Sequence, residues 1–423
     1  MTTEHKAPAG RPENAPVQRA VASGRVAGAA PTELAPGRGR LLGVGVIQLV
    51  ACELAAVAVL LHRSVLVLVL GPLAVVVVIL ALGRRNGRWL YEDWGVRRDF
   101  RRRAFDRSVV QSYAAQLGNS RLAALHELHP QLHITEVADR SGETIGVVSD
   151  GRCYSAMLAL EPARVTPGQS SEGTSLSLDI VAEALRTRDV ALAGIQVLTH
   201  TVPAPTANLP ESSPCVRSYA GLSGAAVPAR RTTWIISRLD PAASPAAVDA
   251  RGGGEMGSQR ALLGTMSRLT ASLRFAGIDV RPVGGHEALD VLSLTAGATS
   301  RAVAPGAPRT TEHWTSCTID ETVQACFWVR SWPTAVRPGE RGLLVRLGDV
   351  RGRFNVVSLT MTSEDTRGVH LRAVVRVAGG SPEELAYLAG ELQQVAQGAR
   401  LVRLDGQQVP GVIESMPLGG SAS

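Results

Sequence analysis

Two apolar runs, 41–61 and 65–82, constrain this chain more than any other feature, and only His62, Arg63 and Ser64 separate them. A hydrocarbon core about 30 Å thick is crossed by roughly 20 apolar residues of helix, and each run is close to that length. The expectation is a tight transmembrane helical hairpin over 40–83. A buried hairpin of a soluble domain fits less well, because 75–80 is apolar on every side and leaves no solvent face. A secretory signal also fits less well, since a second run follows and no small-residue cleavage site lies between the two.

The flanks orient such a hairpin. Arg38 and Arg40 precede it, Arg84, Arg85, Arg88, Arg97, Arg98, Arg101, Arg102 and Arg103 follow it, and the connection carries Arg63 alone. The positive-inside rule then places both chain ends in the cytoplasm, in a two-span inner-membrane protein. Trp89, Tyr91 and Trp94 fall where an interfacial aromatic belt would sit. The arginines from Arg84 to Arg103, with Trp89 and Trp94, are candidate lipid-headgroup contacts. Inside the first run Gly43 and Gly45 would admit a neighbouring helix, and Gln48 and Glu53 would offer it hydrogen bonds. The competing readings are Glu53 protonated against lipid and Glu53 serving ion movement. Gly71-Pro72 would kink the second span.

Charge divides the chain at the same place. Up to Arg107 there are 16 Lys+Arg against 8 Asp+Glu; beyond it there are 28 against 29. The basic balance therefore belongs to the membrane-facing segment, and no nucleic-acid partner is expected of the remainder. Residues 1–39, rich in Ala, Pro, Gly and Arg, read as a disordered basic tail. A basic connector follows over 84–128, with Phe105, Val109, Tyr113 and Leu117 at helical spacing. Then comes an α+β cytoplasmic domain over 129–410 with mixed sheets and packed helices. It could split into two subdomains near 203–230 or 296–310. Residues 411–423 read as a C-terminal tail.

Within that domain, His133–Val137 and Thr144–Val148 flank a turn and predict a hairpin, and Cys153–Leu160 a third strand. A helix over 178–188 leads to a strand over 194–201, and Thr232–Leu239 is the next strand. Leu262, Leu263, Met266, Leu269 and Leu273 form the stripe of a helix over 259–275. A strand over 278–283, a helix over 287–294 and paired strands over 314–319 and 323–329 follow. Another strand pair spans 355–362 and 368–377. Ser381-Pro382-Glu383-Glu384 is a capping box that opens a helix through Gln397, with Gly398 as its stop before a strand over 400–404. Two strands, a helix and a strand thus recur around 144–201 and 355–404, so an internal duplication is one reading.

The chain lacks the tools of most enzymes. Gly252 to Ser258 has glycines at P-loop spacing, but no lysine follows, and Lys6 is the sole lysine of the chain. Residues 220–225 resemble a nucleophile elbow without its last glycine. His126, His129 and His133 do not form H-E-x-x-H, and Pro130 interrupts the helix that would align them. The five cysteines include no C-x-x-C pair and read as reduced thiols. No catalytic, metal-binding or cofactor-binding residue is assigned, and no small-molecule substrate is expected.

Four stretches carry a resemblance: Glu143–Leu160, Arg231–Pro241, Gln259–Val283 and Glu312–Pro333, in this order after the apolar runs. The layout is similar to EccE, a membrane component of the actinobacterial type VII (ESX-like) secretion system. That resemblance implies a non-enzymatic structural subunit of an inner-membrane core complex, with EccB-, EccC- and EccD-like partners and the lipid bilayer around it. Trp314, Trp328 and Trp332 are then either interface anchors or core residues. A membrane-anchored glycosyltransferase-like enzyme would need an acidic Asp-x-Asp metal motif, which is missing. Nothing in the residues excludes a stand-alone membrane sensor or adaptor, which only its partners would distinguish from a secretion component.

Overall fold

The computed structural model describes residues 88–114, 120–161, 178–203, 230–299, 308–333, 342–363 and 369–420, apart from 140–141 and 186–188. It also describes the short pieces 40–41, 44–45, 84–85, 176, 213–214 and 217–218.

The expected transmembrane hairpin is not upheld. No helix among the described residues is long and apolar enough to cross a membrane. Where the first run begins, the chain forms strands: β1 (Arg40–Leu41) pairs antiparallel with β2 (Val44–Gly45), with Arg40 opposite Gly45. A second ladder, β3 (Arg84–Arg85) with β4 (Arg88–Trp89), follows the runs. The rest of both runs lies outside the described residues. Hydropathy measures transfer from water and not backbone period, and the runs are rich in valine, a strand former. The two-span topology with both ends cytoplasmic loses its support with the hairpin.

Beyond β4, α1 (Leu90–Ala114) and α2 (Ser120–Leu128) lead into the sheet. The first part of the sheet comprises β5 (His133–Ala138), β6 (Thr144–Ser149), β7 (Tyr154–Leu160), β8 (Leu192–Val202), β9 (Arg230–Leu239) and β10 (Val280–Pro282). The second comprises β11 (Thr310–Glu312), β12 (Cys317–Ile319), β13 (Thr322–Ser331), β14 (Phe354–Ser363), β15 (Val369–Gly379) and β16 (Arg400–Arg403). All twelve join in one sheet of order β11-β12-β13-β15-β14-β8-β9-β7-β6-β5, with β10 beside β7 and β16 beside β13. Every pairing is antiparallel, where a mixed sheet was expected. One sheet takes strands from both sides of 203–230 and of 296–310, and β11 opens its second half just after the latter.

The helices complete the pattern. In the first half α3 (Leu178–Leu185) lies between β7 and β8, and α4 (Pro245–Asp249) and α5 (Gly254–Phe275) lie between β9 and β10. In the second, α7 (Leu343–Gly348) lies between β13 and β14, and α8 (Pro382–Val395) between β15 and β16. α6 (Gly285–Ala296) connects the halves. Each half is therefore a β-α-β-β-α-β unit of the split βαβ kind, preceded by a hairpin that shares the outer edge of its first strand. The equivalent strands β8 and β14 zip the units together, from Thr201 opposite Asn355 to Ile195 opposite Met361. The two halves repeat one arrangement of strands and helices. Its repeats run from β5 and from β11, offset from the 144–201 and 355–404 match read in the sequence.

Both faces of the sheet are covered, so strand residues of either parity are buried. Ile235, Val357 and Val375 point to the face that carries α3, α5, α7 and α8. Trp234, Ile236, Val356 and Val374 point to the other, among Leu125 of α2 and Leu292 of α6. That second face also receives α9 (Gln408–Glu414) with Met416 and Leu418. Residues 406–412 and 414–420 are buried, so the expected tail from 411 is part of the core, and the boundary at 410 falls inside a helix. Half of the capping box of α8 is as expected: Ser381 Oγ accepts from Glu384 N at 3.2 Å, while the Glu384 carboxylate accepts from Gly380 N at 2.6 Å, one residue before the N-cap amide that a full box would use.

Candidate functional site

Two constellations stand out: a buried polar seam along the β8–β14 junction, and the two-sided helix α1.

The seam is built by residues that alternate onto the second face of the sheet. Gln196 on β8 donates to Glu414 O at 3.0 Å and accepts from Gly419 N at 2.9 Å. Ser155 on β7 donates to Leu418 O at 2.7 Å, and Arg238 on β9 donates to the same carbonyl at 2.7 Å. From the second half, Arg372 of β15 reaches Glu414 Oε1 at 3.4 Å and Arg376 reaches Ser415 O at 3.4 Å. Residues 408–420 therefore lie across both halves as a segment held mostly through its backbone. Gly419 takes φ +82, and a Cβ there would stand 2.5 Å from Arg238 Cβ, so only glycine fits.

Two buried arginines anchor the seam differently. Arg238 pairs with Asp150, each side chain 9% exposed. Burial pushes the Asp150 carboxyl up, but Arg238 and the amides of Cys153 and Arg152 outweigh it and hold the group below its ordinary value. Arg376 is 0% exposed and among the described residues meets only neutral acceptors: Gln324 Oε1 at 2.6 Å, Thr295 O and Ser415 O, with Phe354 5.8 Å from its guanidinium. Burial lowers it to about 10, so it stays charged at neutral pH. His200 lies against Phe354, ring centroids 5.2 Å apart, and burial together with Arg376 and Arg230 pushes it down to about 3. Burial raises the Cys326 thiol to about 12, which removes it as a nucleophile. The seam is a structural polar network.

The residues weighed for metal or phosphate chemistry have other employment. Glu127 accepts from Arg309 N at 3.1 Å and Thr310 N at 2.7 Å and so caps the β11 edge. His126 Nδ1 lies 2.8 Å from Leu122 O. Among the described residues no group of His, Cys, Asp and Glu could hold a metal ion. Gly252, Gly253 and Gly254 all have positive φ and form the turn into α5. Cys153, Cys317 and Cys326 are buried and outside any disulfide. The elbow-like 220–225 lies outside the described residues.

α1 sorts the candidate headgroup residues by face. Its inner face docks on the second half: Val96 is buried, and Phe100 meets Trp314 edge-on at 5.5 Å. Arg97 lies 5.3 Å from the Trp314 ring and pairs with Asp93 at 2.9 Å. Arg103 binds Glu312 at 3.4 Å and the carbonyl of Gly406. Arg97 and Arg103 are thus spent on holding the helix. Trp94, Arg98, Arg101 and Arg102 are exposed, and the three arginines form no ion pair or hydrogen bond with the described residues. Arg84, Arg85, Arg88 and Trp89 belong to the β3–β4 ladder. Of the partner-helix candidates, Gly45 is in β2; Gly43, Gln48, Glu53 and Pro72 lie outside the described residues.

Sequence reading missed the acceptors of α1. Trp314 was weighed as an interface or core residue and proves to be the platform for Phe100 and Arg97, while Trp328 and Trp332 are partly buried against the two core layers. Glu312 and Asp93 carried no separable signal.

No curated protein matches the chain. Residues 227–329, from just before β9 into β13, match the family model described as a putative type VII ESX secretion system translocon, EccE. The stretches Arg231–Pro241 and Gln259–Val283 fall inside this span, as does most of Glu312–Pro333, while Glu143–Leu160 lies before it. The similarity to EccE read from the sequence holds over the segment that links the two halves of the sheet.

Proposed function

We propose that the chain is a structural subunit of a type VII secretion core complex, where its duplicated sheet braces EccB-, EccC- and EccD-like neighbours. The observation that carries this reading is the EccE match itself, which names a translocon and not an enzyme family. The matched segment contributes α5 to one face of the sheet and α6 to the other. A subunit that transmits load between neighbours needs a stiff body, and packed interiors transmit strain. The polar seam adds hydrogen bonds between the halves at their junction.

The test is purification of the tagged chain in mild detergent, followed by native electrophoresis and mass spectrometry. Recovery with EccB-, EccC- and EccD-like proteins in one large assembly is the expected result. Recovery of the chain alone across several detergents would refute the reading.

A further inference from the structure

We infer that the outward face of α1, formed by Trp94, Arg98, Arg101 and Arg102, docks on an anionic lipid surface. At about 100° per residue these four side chains fall within an arc of roughly 100°, opposite Val96, Phe100 and Arg103, which pack on the second half of the sheet. The arc contains no acid. Trp94 is 68% exposed, while Arg98, Arg101 and Arg102 are exposed and unpaired among the described residues; the neighbouring arginines Arg97 and Arg103 are both engaged.

This division of labour is the argument. A helix that needed arginine only for solubility or packing would not segregate its free cations beside its one exposed indole. A basic face with an interleaved tryptophan suits the headgroup level of a bilayer, where the indole body enters the acyl boundary and guanidinium groups meet phosphates. Nucleic acid shares the phosphate chemistry but offers no apolar layer for Trp94. Eight arginines lie between Arg84 and Arg103, so positive charge is concentrated in the stretch that carries this face, while the later chain is close to neutral.

The probe is quenching of tryptophan emission in the full chain by brominated phosphatidylglycerol, compared with brominated phosphatidylcholine. The Trp94→Phe variant isolates the signal of that side chain, so insertion elsewhere in the chain does not contribute. The expected result is a Trp94 component quenched by the anionic lipid and not by the neutral one. It should weaken with salt, and Arg98→Gln/Arg101→Gln/Arg102→Gln should lower its partition on the order of 100-fold. The same substitutions at the exposed Arg260, Arg274 and Arg351 should leave it unchanged. Equal quenching by both lipids, or a Trp94 response to a DNA duplex without one to phosphatidylglycerol, would overturn the inference. The readout needs no partner subunit, so it stands or falls apart from the secretion reading.

Discussion

The amide of Gly419 donates to Oε1 of Gln196 at 2.9 Å, closing a contact between residues 223 positions apart. Gln196 spends its other end on Glu414 O and on Ser358 Oγ at 2.7 Å, so one side chain ties the C-terminal segment to both halves. Gln196→Leu should strand these groups inside the core, and each orphaned polar group costs about 1–3 kcal/mol. Urea unfolding of the variant should show a lower midpoint at unchanged slope. An unchanged midpoint would mean that the segment is held by its apolar residues alone.

Asp150 and Arg238 should depend on each other. Asp150→Asn leaves the Arg238 guanidinium buried without a counter-charge, at a cost of about 3 kcal/mol or more. Replacing both, as Asp150→Asn with Arg238→Met, should recover part of that loss. A double variant that is less stable than the sum of the two single changes would contradict the pairing.

His200 gives stability a pH dependence of known sign. Its folded value, about 3, lies below the ordinary 6.5, so between those values the unfolded chain binds the extra proton. Stability should therefore fall as pH drops below 6.5, by about 1.4 kcal/mol per pH unit from this group. His129 is lowered by burial as well and acts in the same direction. Stability measured at pH 7.0, 6.0 and 5.0 should show a shallower fall in His200→Leu than in the parent chain.

Trp314 should control the docking of α1. Trp314→Ala removes the partner of Phe100 and Arg97 and should weaken docking by about 2 kcal/mol. Amide exchange in α1 should speed up while the strands stay protected. Gly406→Val should act similarly from below, since φ +73 disfavours the substitution and a Cβ there would stand 2.5 Å from Trp314. Equal exchange in variant and parent would show that other contacts hold the helix.

The elements of the sheet domain were largely legible. Strands such as Thr232–Leu239 and the capped helix after Ser381 follow from period and cap chemistry, which act locally. Their arrangement was not, because the long connection over 203–229 in the first half and the short one over 364–368 in the second disguise equivalent hairpins. The short elements β11, α7 and α9 are fixed by contacts distant in sequence, such as Glu127 with Arg309 and Gln408 with Cys326 at 2.9 Å. Apolar character identified 41–82 as exceptional but did not determine the backbone where the first run begins, as Leu41 opposite Val44 in a strand pair demonstrates. The arginine cluster was visible in sequence. Its division into paired and free members was not, since Glu312 and Gly406 lie hundreds of residues away from Arg103.

The seam has a consequence for the order in which the molecule can be made. Ser155, Gln196 and Arg238 emerge from the ribosome long before Glu414, Leu418 and Gly419, whose backbone groups complete their hydrogen bonds. Until residue 420 has been made, the first half holds a row of polar side chains on a face that cannot yet close. Its strands can pair early, but that layer must stay wet, or borrow other partners, through the synthesis of the entire second half. This layer of the first half can therefore close only once residues 408–420 are in place, so the earlier-made half becomes dry late.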